Sequence, residues 1–477
     1  MKKKFIFIIG IALLMSYSCQ KGQLYPPLPT SISNQGGVAF STPARINAQV
    51  LGLYAALRTG QIYGGRFQIY NDVKADNWIN STANSITAYQ TWTETVTSTS
   101  SEVLNLWSNC YTAINDCNLF IDGMKTYGTT VVGSTLAANY IAEAQFVRAL
   151  AYYALLDMYC VPYSSGSSPA VPLRLTGNSA YGNFNLAPAS ITQVYAQVIA
   201  DLNAAETGLP ISYGTDAVSN TIRASRNTAI AFKTRVYLAM GQYASVITEA
   251  NKIVSATAPF TATSGVAYAL QAKIANVFAP PYTTTESIFS EPFTTVETAG
   301  TQNQLASYFN SVGSTEFYIN TSSTLFTDAG WKATDARRGF ISVSAKTGHS
   351  SLTKWPLGSP YLDWATVMRY SEVLLNLAEA RSLSVGPTDP QAVALLNAVR
   401  QRSDPTTVFV TATQAQILEE RNIEFLGEGL RWADLLREGL PIPAKGSVPA
   451  VAVGGYGTSY IWPMSGNEEQ YNPLIGR

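Results

Sequence analysis

The stretch Met368-Arg-Tyr-Ser-Glu-Val-Leu-Leu-Asn-Leu-Ala-Glu-Ala380 decides the fold class. Tyr370, Val373, Leu374, Leu377 and Ala378 recur at i, i+3, i+4, i+7 and i+8, with Glu372, Asn376 and Glu379 on the other side. That period is an amphipathic helix. Working outward, residues 136–160 carry two apolar stripes, one of Tyr140, Ala144, Val147, Ala151, Leu155 and Met158, the other of Phe146, Leu150 and Tyr153. Two stripes predict a helix covered on two sides. Helical periods also span 45–58, 102–124, 191–207, 227–240, 243–256, 390–401 and 414–425. Several form consecutive pairs with short turns. In Arg235-Val-Tyr-Leu-Ala-Met-Gly241-Gln-Tyr243 a glycine ends one helix and a tyrosine opens the next, the pattern of a tetratricopeptide helix pair. Pairs at 102–160 and 364–402 extend the pattern to a short α-solenoid. Between 256 and 362 the chain turns to Thr, Ser, Gly, Pro and aromatics with no sustained period, which predicts short strands and loops with a function. The expected fold is therefore mainly α, tetratricopeptide-like helix pairs carrying a loop-rich, short-strand ligand face.

Composition narrows the function. The 477 residues hold 31 basic and 31 acidic side chains, and charged residues are only 13% of the chain. With no basic excess there is no footprint for nucleic acid. His349 is the single histidine, between Gly348 and Ser350, so sites needing two histidines are excluded and a surface-loop role is expected for it. Tyrosine, at 27 residues, outnumbers Phe at 18 and Trp at 8.

At the N-terminus, Lys2, Lys3 and Lys4 precede an apolar run from Phe5 to Met15 and the small-residue stretch Ser16-Tyr17-Ser18 before Cys19. This reads as a signal peptide over 1–18, its apolar run only about half the ~20 residues a spanning helix needs. Cys19 at the cleavage point is the expected lipidation site. Residues 19–43, rich in Pro, Ser, Thr, Gly and Gln, would form a lipid-anchored tether. The remaining domain, 44–477, divides into a helical part at 44–255, the excursion at 256–362 and a second helical part at 363–477. Cys110 and Cys117, seven residues apart on one helix, are about 10 Å apart and beyond disulfide reach. With Cys160 they are expected as buried free thiols, and as metal ligands they lack a fourth partner.

Four ordered motifs carry a family resemblance. Ala142-Glu-Ala-Gln-Phe-Val-Arg148-Ala-Leu-Ala-Tyr-Tyr with Tyr159-Cys-Val-Pro162, the quoted 368–380 helix, Leu396-Asn-Ala-Val-Arg400-Gln-Arg402, and Glu420-Arg421-Asn-Ile-Glu424-Phe-Leu-Gly-Glu428-Gly429-Leu-Arg431-Trp432-Ala-Asp434-Leu-Leu-Arg437 resemble those of the SusD/RagB outer-membrane nutrient-binding lipoproteins of Bacteroidota. Ile461-Trp-Pro463 and Asn472-Pro473-Leu474 echo the family's closing motif, and Asp335-Ala-Arg337 resembles its ion-paired corner. The resemblance implies a non-enzymatic binder, lipid-anchored in the outer membrane and facing the cell exterior, that captures an oligosaccharide and passes it to a SusC-like TonB-dependent transporter. A peptide-binding RagB-like member and a secreted glycan-active enzyme are the alternatives. Gln20, Lys21, Gly22 and Gln23 lack the acidic pair of surface-export signals, which leaves a periplasmic orientation open. No cofactor and no metal are expected.

Within 420–437, Glu428 with Arg431, and Asp434 with Arg431 or Arg437, stand at i,i+3, and Glu424 and Glu428 are one helical turn apart. That separation would suit a glycosidase pair, but neighbouring arginines depress rather than raise carboxyl pKa values, so the segment reads as structural. A glycan site instead wants aromatic faces for sugar C–H groups beside a few polar groups. The stretch Asn71 to Trp78, with Asp76, Asn77 and Trp78, supplies that mixture, and Tyr89 and Trp92 follow in an expected non-helical stretch. In the excursion, Tyr282, Tyr308, Trp331 and Trp355 complete the expected platform.

Overall fold

A computed structural model describes residues 37–180 and 182–476; the expected signal peptide, Cys19 and most of the tether lie outside these residues. The first described turn belongs to the packed structure rather than to a free tether. Phe40 is buried against Phe120, in a space left by Gly123, where a Cβ would come within 2.1 Å of its ring.

The helices include α1 Pro43–Leu57, α2 Arg66–Lys74, α3 Tyr89–Thr93, α4 Ser101–Gly123, α5 Ser134–Tyr159, α6 Ile191–Gly208, α7 Arg226–Ala239, α8 Tyr243–Ala250, α9 Tyr370–Val385, α10 Pro390–Ser403, α11 Gln414–Glu424 and α12 Arg431–Arg437. Local chemistry sets their ends. Ser190 with Gln193, Ser225 with Thr228 and Thr413 with Gln416 form reciprocal capping boxes, and Thr42-Pro43 and Asp389-Pro390 pair a capping side chain with proline in the first turn. At the predicted turn Gly241 adopts φ +65°, and the Gln242 N–H donates to Tyr237 O at 2.9 Å, closing α7 before Tyr243 packs back near Leu238 and Val246. Helix α8 stops at Ala250, six residues before its expected end, because Ser255 already bonds to Thr261 O at 3.0 Å as the chain enters the excursion.

The pairs pack in sequence: α4 on α5, α5 on α6, α6 on α7, then α7 and α8 on α9, which pairs with α10. Helix α5 is covered on both sides as its two stripes predict, with every residue from Phe146 to Tyr159 buried. Cys110, Cys117 and Cys160 are buried free thiols. Among the described residues the strands form four two-stranded antiparallel sheets. These pair β1 Trp78–Asn80 with β5 Phe317–Ile319, β2 Pro169–Pro172 with β3 Pro188–Ser190, β4 Ser287–Glu291 with β8 Ala365–Arg369, and β6 Ile341–Val343 with β7 Ser350–Leu352.

Where the excursion returns to the helices lies a buried ion network. Arg369 donates to Glu286 (2.6 Å), Glu424 (2.8 Å) and Glu428 (2.7 Å). Arg402 bonds to Glu286 and Glu424, Arg337 to Asp335, Glu420 and Glu424, Arg400 to Glu420, and Lys354 to Glu428. Five cations face five carboxylates, so the charges balance. Burial alone would raise the Glu424 carboxyl, but Arg402, Arg369 and Arg337 outweigh it and hold it well below the usual range. Of the expected i,i+3 pairs Asp434 with Arg437 forms at 2.9 Å, Asp434 binding Arg421 as well, whereas Glu428 turns to Lys354 and Arg369 and Arg431 reaches Asp76. Gly429, at φ +80°, bends the chain away after Glu428, so Arg431 no longer follows it on one helix.

Arg369→Met should leave three buried carboxylates short of a partner and lower stability by about 3–5 kcal/mol, read as a shift of the urea midpoint. An unchanged midpoint would mean that the network contributes nothing. A second expectation concerns Glu291, 1% exposed and pushed up to about 8 by burial, with Arg58 opposing. Its folded pKa lies above the unfolded value, so its contribution is full at acid pH and lost as pH rises through 8. Glu291→Gln should match the parent in melting temperature at pH 5 and exceed it at pH 9.

Candidate ligand-binding face

The segment 71–92 and the excursion, far apart in sequence, meet through one antiparallel pairing. Trp78 lies opposite Ile319, Ile79 opposite Tyr318, and Asn80 opposite Phe317. The pairing continues at both ends, where Asn320 N–H donates to Asn77 O (2.8 Å) and Ser81 N–H to Glu316 O (2.9 Å). Alternation in a three-residue strand then divides the rings. Phe317 and Ile319 are buried below, and Tyr318 turns to the outer side, half-buried beside half-buried Ile79.

Below the strands the aromatics form a continuous floor. Trp78 stacks on Phe309 at 4.0 Å, Phe309 meets Trp355 at 6.3 Å, and Trp355 meets Phe278 at 6.1 Å. Tyr308 stacks on Phe317 at 6.1 Å under the Arg66 guanidinium. Trp331 lies 3.6 Å beneath the Arg338 guanidinium, and the Trp92 indole donates to Trp78 O at 2.8 Å. Trp78, Trp92, Trp331, Trp355 and Tyr308 are at most 5% exposed. A buried ring has no face left for a sugar, which corrects their expected role. The physical reason is the composition of the excursion: short strands and loops bring few aliphatic layers, and the large rings fill the space between them. Trp92 and Tyr89 also lie on a short helix, α3, instead of the expected non-helical stretch.

The expected polar residues serve the same floor. Asn77 donates to Asn422 at 2.6 Å, and Asp76 accepts from Thr324 at 3.3 Å and from Arg431 at 3.5 Å. Asp72 accepts from the Gly427 and Gly429 N–H groups and from the Trp78 indole, and burial pushes its carboxyl up to about 7 against those donors. Gly429 must be glycine here, since at φ +80° a Cβ would lie 2.5 Å from Gln68 Cα.

Two stacked pairs include half-buried rings. Tyr318 stacks on His349 at 3.8 Å with planes 11° apart, both half-buried. Tyr282 stacks on half-buried Trp364 at 5.4 Å and 25°, with half-buried Tyr361 three residues before Trp364. The Tyr282 hydroxyl donates to Asp363 at 2.9 Å, and burial, then the Asp363 charge, raises the phenol. Half-buried Tyr89 adds a ring stacked on Trp92 at 6.1 Å. Of the expected residues Tyr89 alone is half-buried, Tyr282 at 8% exposed is buried like the floor rings, and Tyr318, His349, Tyr361 and Trp364 escaped the sequence reading. For Tyr318 a signal existed: it is the middle residue of Phe-Tyr-Ile, and in a strand the middle residue faces away from its neighbours. Chemically the face offers flat rings and fixed polar groups. Glu424 and Glu428, by contrast, lie within the buried network, ion-paired on their carboxyl oxygens.

Comparisons with known proteins bear on the family and the fold. A family profile described as starch-binding and associating with the outer membrane spans residues 30–238, and the SusD family profile spans 355–472. A SusD superfamily protein from Bacteroides fragilis is 30% identical, covers 92% of this chain and 100% of its own, and superposes with a TM-score of 0.81. SusD-like protein P38 of Formosa agariphila is 24% identical over 96% of this chain and 95% of its own. A laminarin-binding SusD-like protein, 19% identical, shares the fold with a TM-score of 0.69 over 91% of this chain and 98% of its own. The chain belongs to the SusD/RagB family.

The division into floor and open rings makes a direct expectation. Trp78→Ala should cost about 3–5 kcal/mol of stability in urea denaturation, and Tyr318→Ala less than about 1 kcal/mol. Equal losses in both would mean that Tyr318 is a core ring.

Proposed function

We propose that the protein is a cell-surface binding lipoprotein that captures an oligosaccharide on the loop-rich face and delivers it to a SusC-like TonB-dependent transporter. The observation that carries this reading is the half-buried Tyr318–His349 stack. It stands where 71–92 pairs with the excursion, and half-buried Trp364 and Tyr361 supply further rings. Flat rings receive the apolar C–H faces of sugars, and nearby polar groups receive hydroxyls. The starch-binding description of the matching family and the laminarin-binding relative support a glycan over a peptide. Among the described residues no helix is long and apolar enough to cross a membrane.

Calorimetric titration with maltoheptaose, laminarin-derived oligosaccharides and a set of peptides tests the ligand class. Glycan affinity without product formation is expected, and Tyr318→Ala should weaken it by about 2 kcal/mol, roughly thirtyfold. Peptide affinity alone, or turnover of a bound glycan, would overturn the reading. Anchoring is tested separately. Cys19→Ala should release the protein from membranes, and retention after a high-salt wash would contradict the anchor.

A further inference from the structure

The helical half carries a second concave feature, remote in sequence from the loop-rich face. Residues 173–180, which follow β2, lie against the outer side of α4, and residues 182–187 lead into β3. Between them runs a groove of about 390 Å³ whose lining includes Tyr111, Thr112, Asn115, Arg174, Asn178 and Phe184. That volume lies at the lower end of the range for small-ligand pockets.

The groove wall is fixed before any ligand arrives. Asn115 donates to Asn178 O at 3.2 Å and accepts from Asn178 N–H at 2.8 Å. Asn118 donates to Arg174 O (3.1 Å) and Thr176 O (3.3 Å), and the Tyr152 hydroxyl both accepts from Arg174 N–H (2.7 Å) and donates to Arg174 O (2.8 Å). Gly177 packs so closely on Leu119 that a Cβ would lie 2.7 Å from its side chain. A wall held this way loses little entropy on binding.

What remains facing the space has a definite chemistry. The one charged side chain of the lining, Arg174, is neutralised by Glu468 at 2.9 Å and also donates to Phe184 O at 2.6 Å. An ionic ligand therefore finds no free countercharge. The Phe184 ring is 41% exposed, and the Tyr111 ring lines the floor. The Asn178 side-chain amide has no hydrogen-bond partner among the described residues, and the Thr112 hydroxyl, which donates to Ser108 O, keeps its acceptor capacity.

We propose that this groove is a second carbohydrate site, taking one neutral sugar with its C–H face on Phe184 and its hydroxyls on Asn178 and Thr112. The proposal rests on reading the protein as a glycan binder, and its test is separable from that reading. Saturation-transfer NMR is run with glucose, galactose, mannose and xylose on the full chain and on Tyr318→Ala, Phe184→Ala and Asn178→Ala, each with its melting temperature measured as a check of folding. The expected result is transfer to at least one sugar that persists in Tyr318→Ala and falls at least fivefold in Phe184→Ala and Asn178→Ala. Transfer lost in Tyr318→Ala but unchanged in the two groove variants would overturn the groove and leave the main face standing. Absence of transfer to all four sugars in the parent chain would also overturn the groove, while oligosaccharide titration still decides the main face.

Discussion

Arg369 holds three carboxylates from two separate segments, and the rest of the architecture depends on that junction. Glu286 leads into β4, Glu424 ends α11, and Glu428 lies in the turn beyond it, while Arg369 itself ends β8 and precedes α9. Arg402 from α10 and Arg337 from the excursion join the same carboxylates. Buried ion pairs of this kind seldom add much net stability over an apolar core, but removal of one member is costly, so the arrangement works as a constraint on geometry. It fixes where the excursion rejoins the helices.

The constraint reaches the candidate site through short steps. Glu428, held by Arg369 and Lys354, sets the position of Gly429, whose N–H donates to Asp72 at 2.5 Å. Asp72 accepts from the Trp78 indole, and Trp78 opens the strand that pairs with Phe317–Ile319. A ring floor fixed from below leaves Tyr318 presented from above, and such pre-positioning limits the entropy lost when a ligand binds.

The helical half was legible because its period is regular. Residues such as Val373, Leu374 and Leu377 repeat every three or four positions, and caps such as Ser190, Thr413 and Asp389 mark the ends. Helix α2 was not legible, since all nine of its residues are buried, Arg66, Asp72 and Lys74 among them, and no polar face remains to reveal a period. The site was half legible. Sequence reasoning found both segments that meet, yet aromatic composition alone cannot tell floor from surface, because that division follows from strand alternation and from contacts such as Trp78 on Phe309. His349, read as a loop residue, gained a role only when the β6–β7 hairpin brought it onto Tyr318.

The central claim is that a glycan is held on open rings above a buried aromatic floor fixed by the ion network. A crystal structure of the protein with a bound oligosaccharide tests this most directly. The account predicts a sugar ring within stacking distance of Tyr318 or of Trp364, with Trp78, Trp331 and Trp355 covered as before. A bound glycan that avoids both rings, or one that reaches the floor after Trp78 has turned outward, would contradict it.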